Sequence, residues 1–374
     1  MIQENIAKCI LTIGEDYRTP KGGISTVLNT YSRYFFPFNF IATYQTNLNK
    51  WQNIGAFFIG LTRIFNKLWR DQNIRIVHIH GCHSGSFYRK FLVFLIVKYL
   101  FSKKVIYHIH ASDFPDFYKN SFFVTKKSIE FLMGNVDLLL CLSSDWKRYF
   151  EENFNVKKIL ILENIIEPAA HKSTTKNEKL VIAVFLGIIG ERKGIFDLLE
   201  VINVNKTFFK NKFQLIIGGN GDERRLKKYI TSHGLSDLVT YEGWVKGEKK
   251  QELYSKADVF VLPSYNEGLP VSILEAMEYG LPVLSTPVGG IGEIVHDKVN
   301  GFLIPPGDKR ALFDALKLLI EDDHMRKQMG EMSKQMVKPY LSDAVIPKLS
   351  LIYTDLLFLD ADLTPTNGTV KVSL

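Results

Sequence analysis

The sequence predicts an α/β protein built from two similar halves, each a parallel sheet covered by helices on both faces, with their strand ends facing across a crevice. Three observations carry that reading. Short apolar runs alternate with helical segments, as in parallel sheets buried on both sides. The alternation stops at a polar, aperiodic stretch, EPAAHKSTTKNE at 167–178, and then restarts, which marks a linker. Several strands end in loops rich in glycine, serine or charge, where open parallel sheets bind ligands. The chain's 374 residues suffice for about two ordinary domains, and 46% hydrophobic with 23% charged residues is a globular composition.

In the first half, residues 7–14 read as a buried strand leading into a loop that holds Arg18, Pro20, Lys21, Gly22 and Gly23, followed by a helix over 24–34. A glycine pair where strand gives way to helix lets backbone N–H groups approach a ligand closely. The dinucleotide fingerprint GxGxxG is absent from the chain. Strands at 75–80, 104–110, 136–142 and 158–162 follow, with an apolar helix at about 84–101. Five histidines gather at two strand ends: His78, His80 and His83 at one, His108 and His110 at the other. Alternation places His78 and His80 on one face and His108 and His110 on another. Most read as core or strand-end histidines, with His110, last in its strand, the candidate for substrate contact. A zinc site including Cys82 is the alternative, but neither spacing nor partners match a known ligand set.

Residues 1–170 hold 21 Lys+Arg against 13 Asp+Glu, so the first half carries the whole net charge of +8. It is also aromatic-rich around 34–40 and 87–91, and basic residues among aromatics suit an anionic membrane surface or nucleic acid, or simply a solvated face beside a core helix. No signal peptide or spanning segment is visible, and Cys9, Cys82 and Cys141 form no CxxC pair, so a reducing cytosol is the simplest compartment.

The second half opens with a strand at 180–186 and the loop GIIGERKG at 187–194, where Arg192 and Lys193 between glycines form either a phosphate clamp or an exposed basic turn. A strand at 213–217 precedes GGNGDE, and strands at 238–241 and 257–262 lead to PSYNEGLPVSILEAMEYGLPVLSTPVGG at 263–290. Pro270 suits a first helical turn, and Val271, Leu274 and Met277 recur at helical spacing until Gly280. Glu267 lies just before this helix and Glu275 in its second turn, on the same side of the molecule as unpaired N–H groups. By spacing alone the carboxylates either complement the helix dipole or belong to a site across the crevice from Arg192 and Lys193.

The ordered set GERKG, GGNGDE, YEGWV, the whole stretch ADVFVLPSYNEGLPVSILEAMEYGLPVLSTPVGGIGEIV and NGFLIPPGD resembles the retaining nucleotide-sugar glycosyltransferases of family 4 (glycosyl transferases group 1). The resemblance covers nearly all of 180–310 and extends more loosely to PKGGIS, HIHGCHSGS and HIHASDF in the first half. It implies the GT-B architecture: an N-terminal acceptor-side Rossmann-like domain (1–166), a linker (167–178), a C-terminal nucleotide-sugar domain (179–342), a helix crossing back (343–359) and a tail (360–374). It also implies roles. Glu275 holds the ribose hydroxyls, Glu267 touches the transferred sugar, and the backbone of Gly268, Leu269, Pro270 and Val271 meets the diphosphate. Arg192 and Lys193 neutralise that diphosphate, Gly22 and Gly23 approach the donor from the other domain, and His110 contacts sugar or acceptor. The family commonly places Arg where this chain has Ile188, so Arg192 would supply that charge from another backbone position.

The expected activity is transfer of a hexosyl or N-acetylhexosaminyl group from a nucleoside diphosphate sugar, UDP rather than GDP, to a saccharide acceptor, with retention of configuration. A lipid-linked acceptor of a bacterial surface polysaccharide would explain the basic, aromatic first half, through peripheral contact with the inner face of the cytoplasmic membrane. Alternatives are a nucleotide-sugar epimerase of related fold or a non-catalytic glycan-binding module. No cofactor, metal or nucleic acid is expected; the one DxD, Asp360 to Asp362, falls in the polar tail.

Overall fold

A computed structural model describes residues 1–18, 22–82, 84–169 and 180–358. Pro20, Lys21, His83, linker residues 170–178, Leu359 and the Asp360–Asp362 tail lie outside the described residues. Among the described residues, twelve strands form two six-stranded parallel sheets. The first contains β1 (Ile10–Gly14), β2 (Phe40–Ala42), β3 (Ile76–Gly81), β4 (Lys104–Ile109), β5 (Leu138–Cys141) and β6 (Ile159–Ile161), in the order β2-β1-β3-β4-β5-β6. The second contains β7 (Val181–Leu186), β8 (Phe213–Gly218), β9 (Val239–Tyr241), β10 (Val259–Leu262), β11 (Val283–Ser285) and β12 (Gly301–Leu303), in the order β12-β11-β10-β7-β8-β9. This is the expected α/β architecture.

Each order reverses once: the first sheet grows outward in both directions from β1 and β3, the second from β7 and β10. Loops leaving such a pair of strands diverge to opposite faces of the sheet and leave a crevice between them. The loop before Gly22 and Gly23 follows β1, the Arg192–Lys193 loop follows β7, and the Glu267 loop follows β10.

The first sheet is buried on both faces. On one, Leu11, Val77, Val105 and Leu139 pack beneath the helices Lys50–Arg70, Ser84–Leu95, Phe123–Asn135 and Ser144–Asn153. On the other, Ile10, Ile76, Ile106 and Leu138 meet the helices Gly23–Tyr34 and Ser342–Phe358, and this core continues into that of the second sheet. The helix Ser342–Phe358 follows the second sheet in the chain yet lies on the first, where the guanidinium of Arg75 donates to Leu357 O (3.0 Å) and Lys104 Nζ to Leu356 O (2.6 Å).

Several expectations need correction. Residues 7–14 are not one strand: Glu4–Ala7 is a short helix, with Cys9 N bonded back to Ile6 O (2.9 Å), and β1 begins at Ile10. The apolar helix after β3 changes to a π-helix at Ile96–Leu100. His110 lies one residue beyond β4. The histidines of the two strands share a face, because the parallel register sets His80 opposite His108. His78, His80 and His108 are buried; His78 stacks on His80 with centroids 4.3 Å apart, and the His80–His108 (5.1 Å) and His108–His110 (4.2 Å) rings meet at a tilt. The aromatics of 34–40 and 87–91 divide between core and surface: Phe35 and Phe87 are buried, Phe36 and Tyr88 are exposed, and Lys90 is buried and donates to the Thr43 hydroxyl. Burial pushes the Lys90 ammonium down to about 7.

His78 Nδ1 meets the hydroxyl of Tyr353 on the crossing helix (2.7 Å), and His80 Nδ1 meets His110 Nε2 (3.0 Å). Burial lowers His78 from its ordinary value of 6.5 to about 3 and holds His80 and His108 well below theirs. These folded values lie below the unfolded ones, so on acidification the unfolded chain takes up protons first. The contribution is complete above about pH 6.5 and is lost as pH falls toward about 3. Thermal melts at stepped pH should show the midpoint declining below about pH 6.5. The decline should be shallower in His78→Gln; an identical pH slope in that variant would contradict the assignment.

Candidate active site

Between the two sheets lies a cavity of about 610 Å³, within the range of small-molecule sites. Every residue singled out from sequence lines it: Gly22, Gly23, His110, Arg192, Lys193, Glu267, Gly268, Leu269, Pro270, Val271 and Glu275. Arg192 and Lys193 do not face the glutamates across the crevice. The adjacency of β7 and β10 sets them beside the Glu267 loop, on the same wall.

Lys193 ends a short 3₁₀ turn, Glu191–Lys193, and Gly194 follows at φ 68°. A Cβ at Gly194 would lie 2.0 Å from Pro263 O, so only glycine permits the β7 and β10 loops to touch there. The contact is extended by Tyr265 N donating to Arg192 O (2.8 Å). Lys193 Nζ forms an ion pair with Glu267 Oε1, which also accepts from Ser264 Oγ (2.7 Å), and Glu267 is only 4% exposed. From behind, Gly290 N donates to Gly268 O (2.6 Å), and Asn164 Nδ2 of the first domain donates to Leu269 O (2.6 Å). Thus the 267–270 loop is held from three sides.

Arg192 is bonded differently. One guanidinium nitrogen donates to Asn266 O (3.0 Å) and to Ser112 Oγ of the first domain (3.3 Å), both neutral acceptors. Among the described residues no carboxylate lies within ion-pair distance of it. The nearby helix Val271–Glu278 has Pro270 at its N-cap and no side-chain cap; Ile273 N donates back to Pro270 O (3.1 Å), which leaves the Val271 and Ser272 amides at the helix start for a ligand. Ile188, where Arg is common, is half-exposed on the cavity wall and brings no charge.

Glu275 points into the other end of the cavity. Its Oε1 pairs with Lys250 Nζ and its Oε2 accepts from Tyr254 OH (3.0 Å), which also donates toward Ser272 O (3.0 Å). Lys250 and Tyr254 were not legible as site residues: the 247–256 helix reads as a generic charged helix, and only the i,i+4 spacing of the two hints at a shared face. Trp244, Asn164 and Glu278 also line the cavity. His110 contributes from the first domain, Gly22 lies at the start of the Gly23–Tyr34 helix, and Gly23 comes within van der Waals reach of Val271. Glu15 Oε1 accepts from Ser25 N (2.8 Å) and so caps that helix. The ring nitrogens of His78, His80 and His108 lie within 4.8 Å of one another, and Cys82 is not part of that group.

Residues 167–336 match the family described as Glycosyl transferases group 1. The match supports a glycosyltransferase. An uncharacterized glycosyltransferase of Methanocaldococcus jannaschii is 24% identical over 310 residues, 83% of either chain. The amylovoran biosynthesis glycosyltransferase AmsK of Erwinia amylovora is 32% identical over 197 residues, 50% of this chain and 48% of that protein. Among solved structures, Anabaena HepE in complex with UDP superimposes with a TM-score of 0.73 over 92% of this chain and 99% of that one, at 15% identity, which shows a shared GT-B fold.

The Gly194–Pro263 contact yields a direct test. Gly194→Ala adds both a clash and a left-handed alanine, and should destabilise the fold by about 1–3 kcal/mol in denaturant titration. An unchanged midpoint would mean that the two loops are not packed as described.

Proposed function

We propose that this glycosyltransferase moves a hexosyl or N-acetylhexosaminyl group from a nucleoside diphosphate sugar, with UDP as the nucleotide, to a saccharide acceptor, and retains the anomeric configuration. The observation that carries the reading is Arg192: a cleft guanidinium bound, among the described residues, by neutral groups alone, beside a helix N-terminus without a side-chain cap. That arrangement suits a diphosphate, which supplies the missing negative charge. The relatives are consistent with it, since HepE is described in complex with UDP and AmsK acts in amylovoran biosynthesis.

Glu275 accepts the ribose hydroxyls in this reading, exchanging its bonds from Lys250 and Tyr254 for bonds from the diol. Glu267 does the same for hydroxyls of the transferred sugar, releasing the Lys193 ammonium toward the diphosphate. Lys193 and Arg192 then stabilise the charge that grows on the leaving phosphate as the glycosidic bond breaks. Two routes lead to retention. A double displacement needs a carboxylate on the sugar face opposite the leaving group. Among the described residues, the first-domain wall offers His110, Ser112, Asn164 and one carboxylate, Glu167, whose Oε2 accepts from Tyr34 and Ser342 and whose Oε1 lies 3.8 Å from the Arg33 guanidinium, so that the group is held by its own domain. A front-face route, in which the departing phosphate takes the proton of the incoming hydroxyl, needs only positioning and charge stabilisation. The chain's residues fit that second route. The acceptor we propose is a lipid-linked saccharide of a bacterial surface polysaccharide.

Nucleotide release from a panel of labelled nucleotide sugars, with and without membrane extract, tests the whole reading: release should depend on acceptor. Donor consumption that yields an epimer without acceptor would overturn it. Lys193→Ala should lower kcat about 10²–10³-fold in a folded protein, and wild-type turnover would rule out its role. Glu275→Ala should instead weaken UDP binding in calorimetry by about tenfold or more, as loss of hydrogen bonds to a charged group requires, with little change in kcat at saturating donor. A large fall in kcat would show that its role is misassigned.

A further inference from the structure

The helix Lys50–Arg70 is apolar on two sides. Phe57, Ile64 and Leu68 enter the core beneath it. On an adjoining side, about 100° round the helix, Trp51, Ile54, Phe58, Phe65 and Trp69 recur at steps of three, four or seven residues and face solvent, with Trp51 78%, Phe58 59% and Trp69 68% exposed. A helix serving only as the cover of a sheet needs one apolar stripe, and its second face should be polar. The stripe is not isolated. Phe65 stacks on Trp69 and meets Phe101 edge-on at 5.2 Å. The adjoining π-helix adds exposed Tyr99 and Leu100, and Tyr99 stacks on half-exposed Phe131 of the Phe123–Asn135 helix (5.9 Å). All three helices lie on the side of the first sheet away from the crossing helix and the second domain.

Charge identifies the occupant. The Lys50–Arg70 helix carries Lys50, Arg63, Lys67 and Arg70 and no carboxylate, and Arg63 and Arg70 are exposed. Lys67 pairs with Asp71 (3.0 Å), which leaves Arg63 and Arg70, on the flank of the helix round from the aromatic stripe, as exposed excess cations. Exposed rings flanked by long cationic side chains match the interface of an anionic bilayer: rings enter the headgroup region and the arginines reach toward lipid phosphates. No helix among the described residues is long and apolar enough to cross a membrane, so the contact is interfacial.

We infer that the outer face of the Lys50–Arg70 helix, with the adjoining Tyr99–Phe131 surface, docks the protein on an anionic lipid bilayer. The inference rests on the lipid-linked acceptor reading for its purpose: docking holds the enzyme at the surface where such an acceptor resides. Its test uses neither donor nor acceptor. The full chain is co-sedimented with phosphatidylcholine vesicles and with vesicles that also contain phosphatidylglycerol, alongside Trp51→Ser/Phe58→Ser/Trp69→Ser and Arg63→Gln/Arg70→Gln. The wild type should partition onto the anionic vesicles. The aromatic variant should lose that partition by about tenfold or more, and the charge variant should lose the preference for anionic over neutral vesicles. Both variants should melt and bind UDP like the wild type, since the changed side chains are exposed and outside the cleft. Absence of wild-type binding, or equal binding by the aromatic variant, would overturn the inference. So would a wild-type dimer in sedimentation velocity that the aromatic variant abolishes, because the surface would then join two copies of this chain. Nucleotide release is read separately. Intact acceptor-dependent release without vesicle binding removes the docking surface alone; vesicle binding without release removes the catalytic reading alone.

Discussion

The Lys193–Glu267 ion pair is the interaction on which the rest of the cleft depends. Glu267 is almost wholly removed from water, and a buried charge pair of this kind is tolerated only when both members are held and further bonded. Here the Ser264 hydroxyl adds the further bond, and the fold supplies the holding. Strands β7 and β10 are neighbours at the reversal of the second sheet, so their two outgoing loops emerge side by side. Gly194 lets them touch, and the Tyr265–Arg192 backbone bond then fixes where the guanidinium leaves the chain. Arg192, Lys193 and Glu267 are therefore placed by one piece of backbone geometry.

That geometry gives the unliganded cleft its character. Two lysines are stored against two glutamates, Lys193 with Glu267 and Lys250 with Glu275, while Arg192 is held by neutral oxygens. Ligand hydroxyls can take the place of ammonium groups at the carboxylates, and a ligand phosphate can collect the released cations. Such an exchange keeps each buried charge partnered throughout, which avoids the cost of exposing either glutamate alone to an apolar wall. The Asn164–Leu269 and Arg192–Ser112 bonds extend this network to the first domain, so the first-domain and second-domain walls share one hydrogen-bonded frame.

The second half of the fold was legible because its loops carry unusual residue types at strand ends: glycines about two cations, and prolines about a carboxylate. Those types have local reasons, and the cavity gathers all of them. What sequence could not give was neighbourhood. Parallel register decides that His78, His80, His108 and His110 share a face, and strand order decides that Lys193 touches Glu267 instead of facing it. Lys250 and Tyr254 escaped notice because their helix has ordinary surface composition and gains its role only from packing beside Glu275. Burial was misjudged in the first half for the same reason. The aromatics at 34–40 and 87–91 divide, with Phe35 and Phe87 in the core and Phe36 and Tyr88 exposed, while further exposed rings lie on the Lys50–Arg70 helix, whose apolar residues serve two different faces that sequence alone does not separate.

The central claim is that Arg192 exists to meet a diphosphate. Calorimetric affinities of uridine and UDP for the wild type and for Arg192→Gln isolate that interaction, because the nucleoside common to both ligands cancels. The account predicts that the wild type prefers UDP to uridine by about a hundredfold and that Arg192→Gln loses at least about tenfold of that preference, with uridine binding nearly unchanged. Equal losses for uridine and UDP, or an unaltered preference in the variant, would contradict it.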